Sequence, residues 1–160
     1  MYFCIWKESL VLSHSFIKFD TMLKYNDMDY GCKVRYMRRA LELAANGAAY
    51  ASPNPMVGAV IVAPDGRVIG EGWHRRCGEG HAEVNAVASV AEADIPLLGK
   101  STMFVTLEPC SHYGKTPPCA RMIVERGIPH VVVAMADPNP KVSGRGIGIL
   151  RDAGVEVEVG

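Results

Sequence analysis

The stretch TMFVTLEPCSHYGKTPPCARMIVER, residues 102–126, decides the fold because it joins a strand to a helix through a polar loop. Its first part, Thr102–Leu107, is a mainly apolar run with the length and composition of a buried strand. Its last part, Cys119–Arg126, has the length of a short helix and precedes Gly127, a residue type that commonly ends helices. A buried strand that leads into a helix is typical of α/β proteins.

The flanking sequence continues the alternation of helices and strands. Before the stretch, the apolar spacing predicts a helix from Lys33 to Gly47, a hairpin of strands at Val57–Val62 and Arg67–Trp73, and a helix at Ala82–Ala93. After it, the same criteria predict a strand at His130–Ala136, a helix at Gly146–Ala153 and a strand at Val155–Val159. This order predicts an α/β fold: a three-layer α/β/α sandwich on a five-stranded mixed sheet.

Composition limits the classes of function. The 160 residues suit one domain, which we place at residues 31–160 after a poorly ordered extension at residues 1–30. The 17 basic and 17 acidic residues balance, which argues against nucleic acid as a partner. No apolar run approaches the roughly 18 residues that span a membrane. Five cysteines without a secretory signal predict a reducing, cytoplasmic location and no disulfide framework.

Three short segments combine residue types that bind zinc: His81-Ala82-Glu83, Pro109-Cys110 and Pro118-Cys119. One imidazole and two thiolates supply three ligands and leave a fourth position for water, which is the arrangement of a catalytic zinc site with one ion per chain. The predicted helix N-termini at Glu83 and Cys119 favour thiolates nearby. The Glu83 carboxylate can take a proton from the water and return it to a leaving amine.

Each segment also has a simpler explanation when it is taken alone. A His-x-Glu pair at a helix start is commonly a cap, and a cysteine after proline is commonly a small buried hydrophobic residue. All three segments, however, fall in order at strand–helix junctions that meet on one edge of the predicted sheet. Ligands collect at that edge in open α/β sheets, so the combination favours a zinc site.

The pattern is similar to the signature of zinc deaminases, His-x-Glu followed by Pro-Cys-x-x-Cys, in which the glutamate is not a ligand. Here eight residues, and not two, separate Cys110 from Cys119. With this long loop, residues 106–120 resemble the deaminase domain of the bifunctional riboflavin-biosynthesis deaminase–reductase, a cytidine-deaminase-like zinc hydrolase. Segments 53–60, 80–83 and 136–140 support the resemblance, which extends from about Met37 to Gly160.

The resemblance implies hydrolytic deamination of 2,5-diamino-6-ribosylamino-4(3H)-pyrimidinone 5′-phosphate to 5-amino-6-ribosylaminouracil 5′-phosphate and ammonia. It implies that Asn54 holds the base and that His74 and Lys115 lie near the ribose phosphate. It also implies that Asp137 and Asn139 contact the ribosyl part. The charge of Lys115, in a loop bounded by glycine and proline, suits a phosphate dianion.

The family's second domain, an NADPH-dependent reductase, is expected to be absent from this chain, which ends before a final helix that the family carries. The run Gly144–Gly148, GRGIG, lacks the spacing of a dinucleotide fingerprint, so we interpret it as a loop and expect no NADP site. The sequence leaves open whether the chain forms a homo-oligomer and whether a separate reductase partner exists.

Two alternative functions stay open on sequence grounds. Another zinc deaminase, acting on a nucleobase, a nucleotide or a tRNA, would share His81, Glu83, Cys110 and Cys119 but lack the lysine loop. A non-catalytic zinc-binding module would need a fourth protein ligand, for which His112 is the obvious candidate, and would have no use for the glutamate.

Overall fold

The computed structural model describes residues 28–113, 117–139 and 142–160. The regular elements in these ranges are α1 (Tyr30–Ala45), β1 (Gly58–Val62), β2 (Val68–Trp73), α2 (Ala82–Ala88), a 3₁₀ segment (Glu92–Lys100), β3 (Thr102–Val105), α3 (Cys119–Glu125), β4 (His130–Val133), α4 (Arg145–Asp152) and β5 (Glu156–Val159). None of these helices combines the length and the apolar character that crossing a bilayer requires.

The five strands form one mixed sheet in the order β2-β1-β3-β4-β5. Strand β1 pairs antiparallel with β2 and with β3, whereas β3, β4 and β5 pair parallel. The register places Gly58, at the start of β1, opposite Trp73, at the end of β2. Because β1 runs antiparallel to β3, its start also lies at the carboxyl end of β3. The ends of β2, β3 and β4 and the start of β1 therefore meet at one edge of the sheet.

Helix α1 covers one face of this sheet. Its buried residues Tyr36, Ala40 and Leu43 pack on alternate strand residues that point to this side, which are Val60, Val62, Phe104 and Val132. The ring of Tyr36 lies 5.3 Å from that of Phe104. The helix begins at Tyr30 because the Asp29 side chain accepts a hydrogen bond from the backbone N–H of Cys32.

Helices α2, α3 and α4 cover the other face, where the remaining strand residues form the larger core. Its centre consists of Ala59, Ile61, Met103, Val105, Val131 and Val133 from the strands, with Ala86, Ile123 and Leu150 from the helices. Helix α2 lies unusually close to β2. A Cβ atom at Gly72 would be 2.3 Å from the backbone nitrogen of Ala86, so only glycine permits this approach. The approach fixes the start of α2 at the sheet edge described above.

The predicted sandwich on a five-stranded mixed sheet is thus confirmed, with several element boundaries corrected. The predicted helix at Ala82–Ala93 ends at Ala88, and a 3₁₀ segment follows. The cause is Ser89, whose hydroxyl donates to the Ala86 carbonyl and accepts the Glu71 N–H, so the chain turns away there. Strands β3 and β4 end two and three residues earlier than expected, at Val105 and Val133.

Two predictions concern segments at the margins of the described residues. The expected extension at residues 1–30 lies outside them except for Met28, Asp29 and Tyr30, which belong to the fold: Met28 is buried in the core under α1. The run Gly144–Gly148, expected to be a loop, instead forms the start of α4. Gly144 has a φ of 79° and precedes the first helical residue, so the chain enters α4 through a left-handed residue.

Candidate active site

A cavity of about 250 Å³ opens at the sheet edge where β2, β3 and β4 end and β1 begins. Each of these strands contributes residues from the loop beside it. The residues that line the cavity are Asn54, Pro55, Val57, His74, His81, Glu83, Leu107, Glu108, Cys110, His112 and Asp137. This list includes Cys110, His81 and Glu83, so three of the four residues predicted for the zinc site line the cavity.

The three predicted zinc ligands come together at one side of this cavity. The ligand atoms of His81, Cys110 and Cys119 all lie within 4.8 Å of one another. The Nδ1 atom of His81 is 3.5 Å from Sγ of Cys110 and 3.4 Å from Sγ of Cys119. Zinc–nitrogen and zinc–sulfur bonds of ordinary length at a tetrahedral angle put these atoms about 3.6 Å apart. The donor set therefore fits a zinc ion in both its chemistry and its spacing.

The protonation of these three groups is coupled. The Cys119 thiol and the Cys119 backbone N–H, 3.3 Å away, both donate to Cys110 and lower the pKa of Cys110 to about 4. The same hydrogen bond raises the pKa of the buried Cys119, and contact with Cys110 raises the pKa of His81. Without a metal, the three ligand side chains thus share protons through hydrogen bonds, and a divalent cation displaces these protons when it binds.

Glu83 lies in the first turn of α2, two residues after His81. Its side chain is only 3% exposed, and burial raises its pKa from 4.5 to about 7. The nearby Cys110 charge acts in the same direction, while His81 opposes it. A carboxyl group with a pKa near neutrality can both accept and release a proton, as an acid–base catalyst must.

His74 and Asn54 form a hydrogen-bonded pair beside the His81 ligand, whose ring centroid lies 5.5 Å from that of His74. His74 is 2% exposed, with Nδ1 3.1 Å from the Gly80 carbonyl and Nε2 3.1 Å from the Asn54 side-chain nitrogen. A carbonyl only accepts, so Nδ1 carries the proton and Nε2 accepts from the Asn54 amide. Asn85 also donates to the Gly80 carbonyl, at 3.0 Å. The pair is therefore tied to the residue that precedes the His81 ligand.

Of the remaining predicted substrate-binding residues, one lines the cavity, one does not, and one lies outside the described residues. Asp137 lines the cavity, and its Oδ1 accepts the Asn139 backbone N–H at 2.8 Å. Asn139 is exposed and is not among the described residues that line the cavity. Lys115 lies outside the described residues, so its predicted position near the phosphate stays a prediction.

Sequence reasoning missed Glu108, which lines the cavity and is buried although it is charged. The available signal was a glutamate placed directly between the apolar strand end and Pro109. His112, considered as a fourth zinc ligand, also lines the cavity. Among the described residues, however, the group that could hold a metal consists of His81, Cys110 and Cys119 alone. This argues against a closed, structural zinc site.

Comparison with known proteins identifies this arrangement. The family model for the cytidine and deoxycytidylate deaminase zinc-binding region matches residues 31–135. The chain belongs to this family. The match spans both cysteines, His81 and Glu83, and it confirms that the chain is a zinc-dependent deaminase with a cytidine-deaminase-like fold.

Relatives narrow the branch of the family. The chain is 48% identical over 125 residues to diaminohydroxyphosphoribosylamino-pyrimidine deaminase of Buchnera aphidicola from Schizaphis graminum, covering 78% of this chain and 82% of that protein. It is 50% identical over 125 residues to the riboflavin biosynthesis protein RibD of Escherichia coli, covering 78% of this chain and 33% of that one. The structure of Acinetobacter baumannii RibD superimposes with a TM-score of 0.76 at 48% identity, over 82% of this chain and 36% of the other. The chain thus spans about a third of these RibD proteins, and the resemblance to riboflavin-biosynthesis deaminases is confirmed.

Proposed function

We propose that this deaminase acts on 2,5-diamino-6-ribosylamino-4(3H)-pyrimidinone 5′-phosphate in riboflavin biosynthesis. The observation that carries the proposal is the metal-ligand cluster beside the buried Glu83 at the side of a cavity sized for a small molecule. The 48% identity to a Buchnera protein of that name, over most of both chains, supports the choice of substrate.

The reaction exchanges an amine for an oxygen. A water oxygen bonds to the pyrimidine carbon that bears the exocyclic amine, and that carbon–nitrogen bond then breaks to release ammonia. Zinc, when bound by His81, Cys110 and Cys119, supplies Lewis-acid activation of water. Glu83 takes one proton from the water and delivers it to the departing nitrogen, so its carboxylate is restored at the end of each turnover, and the second proton of the water stays on the pyrimidine product.

The hydrogen-bonded pair of Asn54 and His74 orients the substrate. Asn54 is held by His74 through its amide nitrogen, which leaves the amide oxygen to accept a hydrogen bond from the pyrimidine. Both ring nitrogens of His74 are engaged, so this histidine acts through Asn54. The phosphate contact that the resemblance implies for His74 would require one of those bonds to open. Asp137 and Asn139 are assigned to the ribosyl part and Lys115 to the phosphate, as the resemblance implies.

The test is ammonia release by the purified, zinc-loaded chain. The phosphorylated diaminopyrimidine is compared with cytidine, deoxycytidylate and an adenosine-containing tRNA at equal concentration. We expect kcat/KM to be highest on the diaminopyrimidine by orders of magnitude, and Glu83→Gln to abolish the signal, which excludes a contaminating deaminase. A preference for cytidine, deoxycytidylate or tRNA would contradict the proposed substrate while leaving the family assignment intact.

A further inference from the structure

Glu108 is a buried charge for which the proposed chemistry has no use. Its side chain is 6% exposed, yet its two oxygens accept four backbone hydrogen bonds. Oε1 accepts from Gly146 at 2.8 Å and from Ile147 at 3.3 Å, and Oε2 accepts from Gly144 at 2.9 Å and from Asp137 at 3.1 Å. One carboxylate therefore joins Asp137, within the connection from β4 to α4, to the start of α4.

This carboxylate occupies the place that a bound anion would take at the start of α4. The glycine-containing turn presents its N–H groups to Glu108, so the side chain of the protein itself occupies these donors. The backbone fits equally closely. A Cβ atom at Gly146 would be 1.9 Å from the Pro109 carbonyl oxygen, so only glycine allows α4 to dock on the turn that carries Cys110.

The position of Glu108 links two parts of the active site. On one side, Pro109 and the ligand Cys110 follow it directly in the chain. On the other side, it holds the backbone of Asp137, whose side chain lines the cavity. The Glu108 side chain thus adds charge-assisted hydrogen bonds between these two segments, beside the backbone bond from the Glu108 N–H to the Met135 carbonyl.

We propose that Glu108 is a positioning residue for substrate binding, because its carboxylate fixes Asp137 in the cavity wall relative to the Cys110 end of the metal centre. The proposal rests on the proposed function in that Asp137 contacts the substrate. A glutamine here keeps the shape of the side chain but turns an NH₂ group toward two N–H donors, and no rotation of the amide avoids this conflict.

The first experiment measures steady-state kinetics and zinc content of Glu108→Gln in the full chain. We expect zinc to stay at the wild-type content, kcat to change little and KM for the diaminopyrimidine to rise about tenfold or more, the usual effect of losing a charge-assisted hydrogen bond. Val62→Ala is the control for lost stability, since Val62 is buried under α1 far from the cavity, and it should leave KM unchanged. If Glu108→Gln does not fold, Glu108→Asp, which keeps the charge but shortens its reach, replaces it with the same expected pattern.

A double-mutant cycle with Asp137→Ala separates positioning from general destabilisation. If Glu108 acts through Asp137, Glu108→Gln raises KM much less once the Asp137 side chain is gone. Additive losses, an unchanged KM or a loss of zinc in Glu108→Gln would each overturn the proposal.

Amide hydrogen exchange tests the same proposal without any substrate. In Glu108→Gln the N–H groups of Asp137, Gly144, Gly146 and Ile147 should exchange faster, while those of α1 keep their protection. Unchanged exchange at these four amides would overturn the proposal. A wild-type chain that releases no ammonia would contradict the proposed function instead, and the exchange result would still decide whether Glu108 fastens the segment.

Discussion

Both faces of the sheet are buried, but among the described residues the candidate metal ligands lie at one edge of one face. On the α1 side, Tyr36, Phe104 and their neighbours form an apolar core, and ion pairs such as Arg39–Glu71 close its margin. On the other side, α2 and α3 begin at the sheet edge and bring His81, Glu83 and Cys119 to the cavity. The difference arises from the direction of the chain: a helix that starts where a parallel strand ends has its first residues at that edge of the sheet.

This contrast predicts two kinds of residue: those whose substitution lowers activity, and those whose substitution lowers stability alone. A residue at the starts of α2 and α3 should govern metal content or turnover, with the fold intact. A residue on the α1 side should affect unfolding and leave turnover alone. A substitution on one side that has the effect expected for the other side would show that the contrast is wrong.

The largest effect is expected for Cys119→Ser. A serine hydroxyl is a much weaker zinc ligand than a thiolate, so zinc should fall well below one ion per chain and ammonia release should become undetectable. Elemental analysis after desalting measures the metal. Cys77→Ser is the matched control, because Cys77 is an exposed free cysteine outside the cluster and its loss should change nothing. Full metal content in Cys119→Ser would refute the ligand assignment.

Glu83→Gln should keep both zinc and fold while it loses turnover. The amide is nearly isosteric but cannot carry the proton, and acid–base catalysis contributes roughly 10²–10⁴-fold. Kinetics at matched zinc content check this expectation. Glu125→Gln, an exposed glutamate on α3, is the control and should retain wild-type kcat. Near-normal kcat in Glu83→Gln would show that the proton takes another route.

A smaller effect is expected for Lys115, which lies on the loop between the two cysteine ligands and outside the described residues. If it binds the 5′-phosphate, Lys115→Ala should lower kcat/KM by about one to two orders of magnitude on the phosphorylated substrate. Removal of the phosphate should cost wild type a similar factor. The two changes together should cost little more than either one, because each removes the same contact. Additive losses would place the phosphate elsewhere and leave this loop a structural role.

The metal centre could be predicted from the sequence because few side chains bind zinc and these ones occur at junctions of regular elements. The order His81, Cys110, Cys119 carries that information without any knowledge of distant contacts. Glu108 could not be predicted, since its partners are backbone N–H groups 29 to 39 residues away, and backbone groups leave no trace in the side-chain pattern. His74 was named as a site residue through the resemblance, but its burial could not be predicted, because its neighbours Arg75 and Arg76 are exposed while the imidazole itself is buried.

Fold prediction succeeded and failed for related reasons. The order of elements follows from apolar periodicity, which is local, so the five-stranded mixed sheet was predicted correctly. The end of α2 depends on the Ser89 hydroxyl, which bonds to β2, a contact that becomes available only in the folded chain. The start of α4 within GRGIG depends in the same way on Glu108. Tertiary hydrogen bonds thus set the boundaries that periodicity left open.

The smallest effect is expected on the α1 side, at the ion pair of Arg39 and Glu71. The guanidinium binds both carboxylate oxygens, with Nε 2.8 Å from Oε1 and the second contact at 2.9 Å, and it lowers the pKa of Glu71 below its usual 4.5. A carboxyl whose pKa is lowered by folding stabilises the folded state above its unfolded pKa, and this contribution is lost as the pH falls through the lowered value. Both side chains are partly exposed, at 46% and 32%, so solvent screening limits the contribution to below about 1 kcal/mol.

Glu71→Gln should therefore reduce the free energy of unfolding slightly at pH 7, and the difference from wild type should vanish well below pH 4.5. Urea titrations at both pH values, with the same zinc concentration for both chains, measure the difference. Glu42→Gln is the control, because Glu42 meets the same arginine only at 3.4 Å and is 58% exposed, and it should have no measurable effect. Ammonia release should be unchanged in both variants, since Glu71 points to the α1 side of β2. A stability difference that grows on acidification would contradict the ion-pair explanation. A loss of turnover in Glu71→Gln would mean that the two faces of the sheet are coupled, and that chemistry on one edge depends on packing across the sheet.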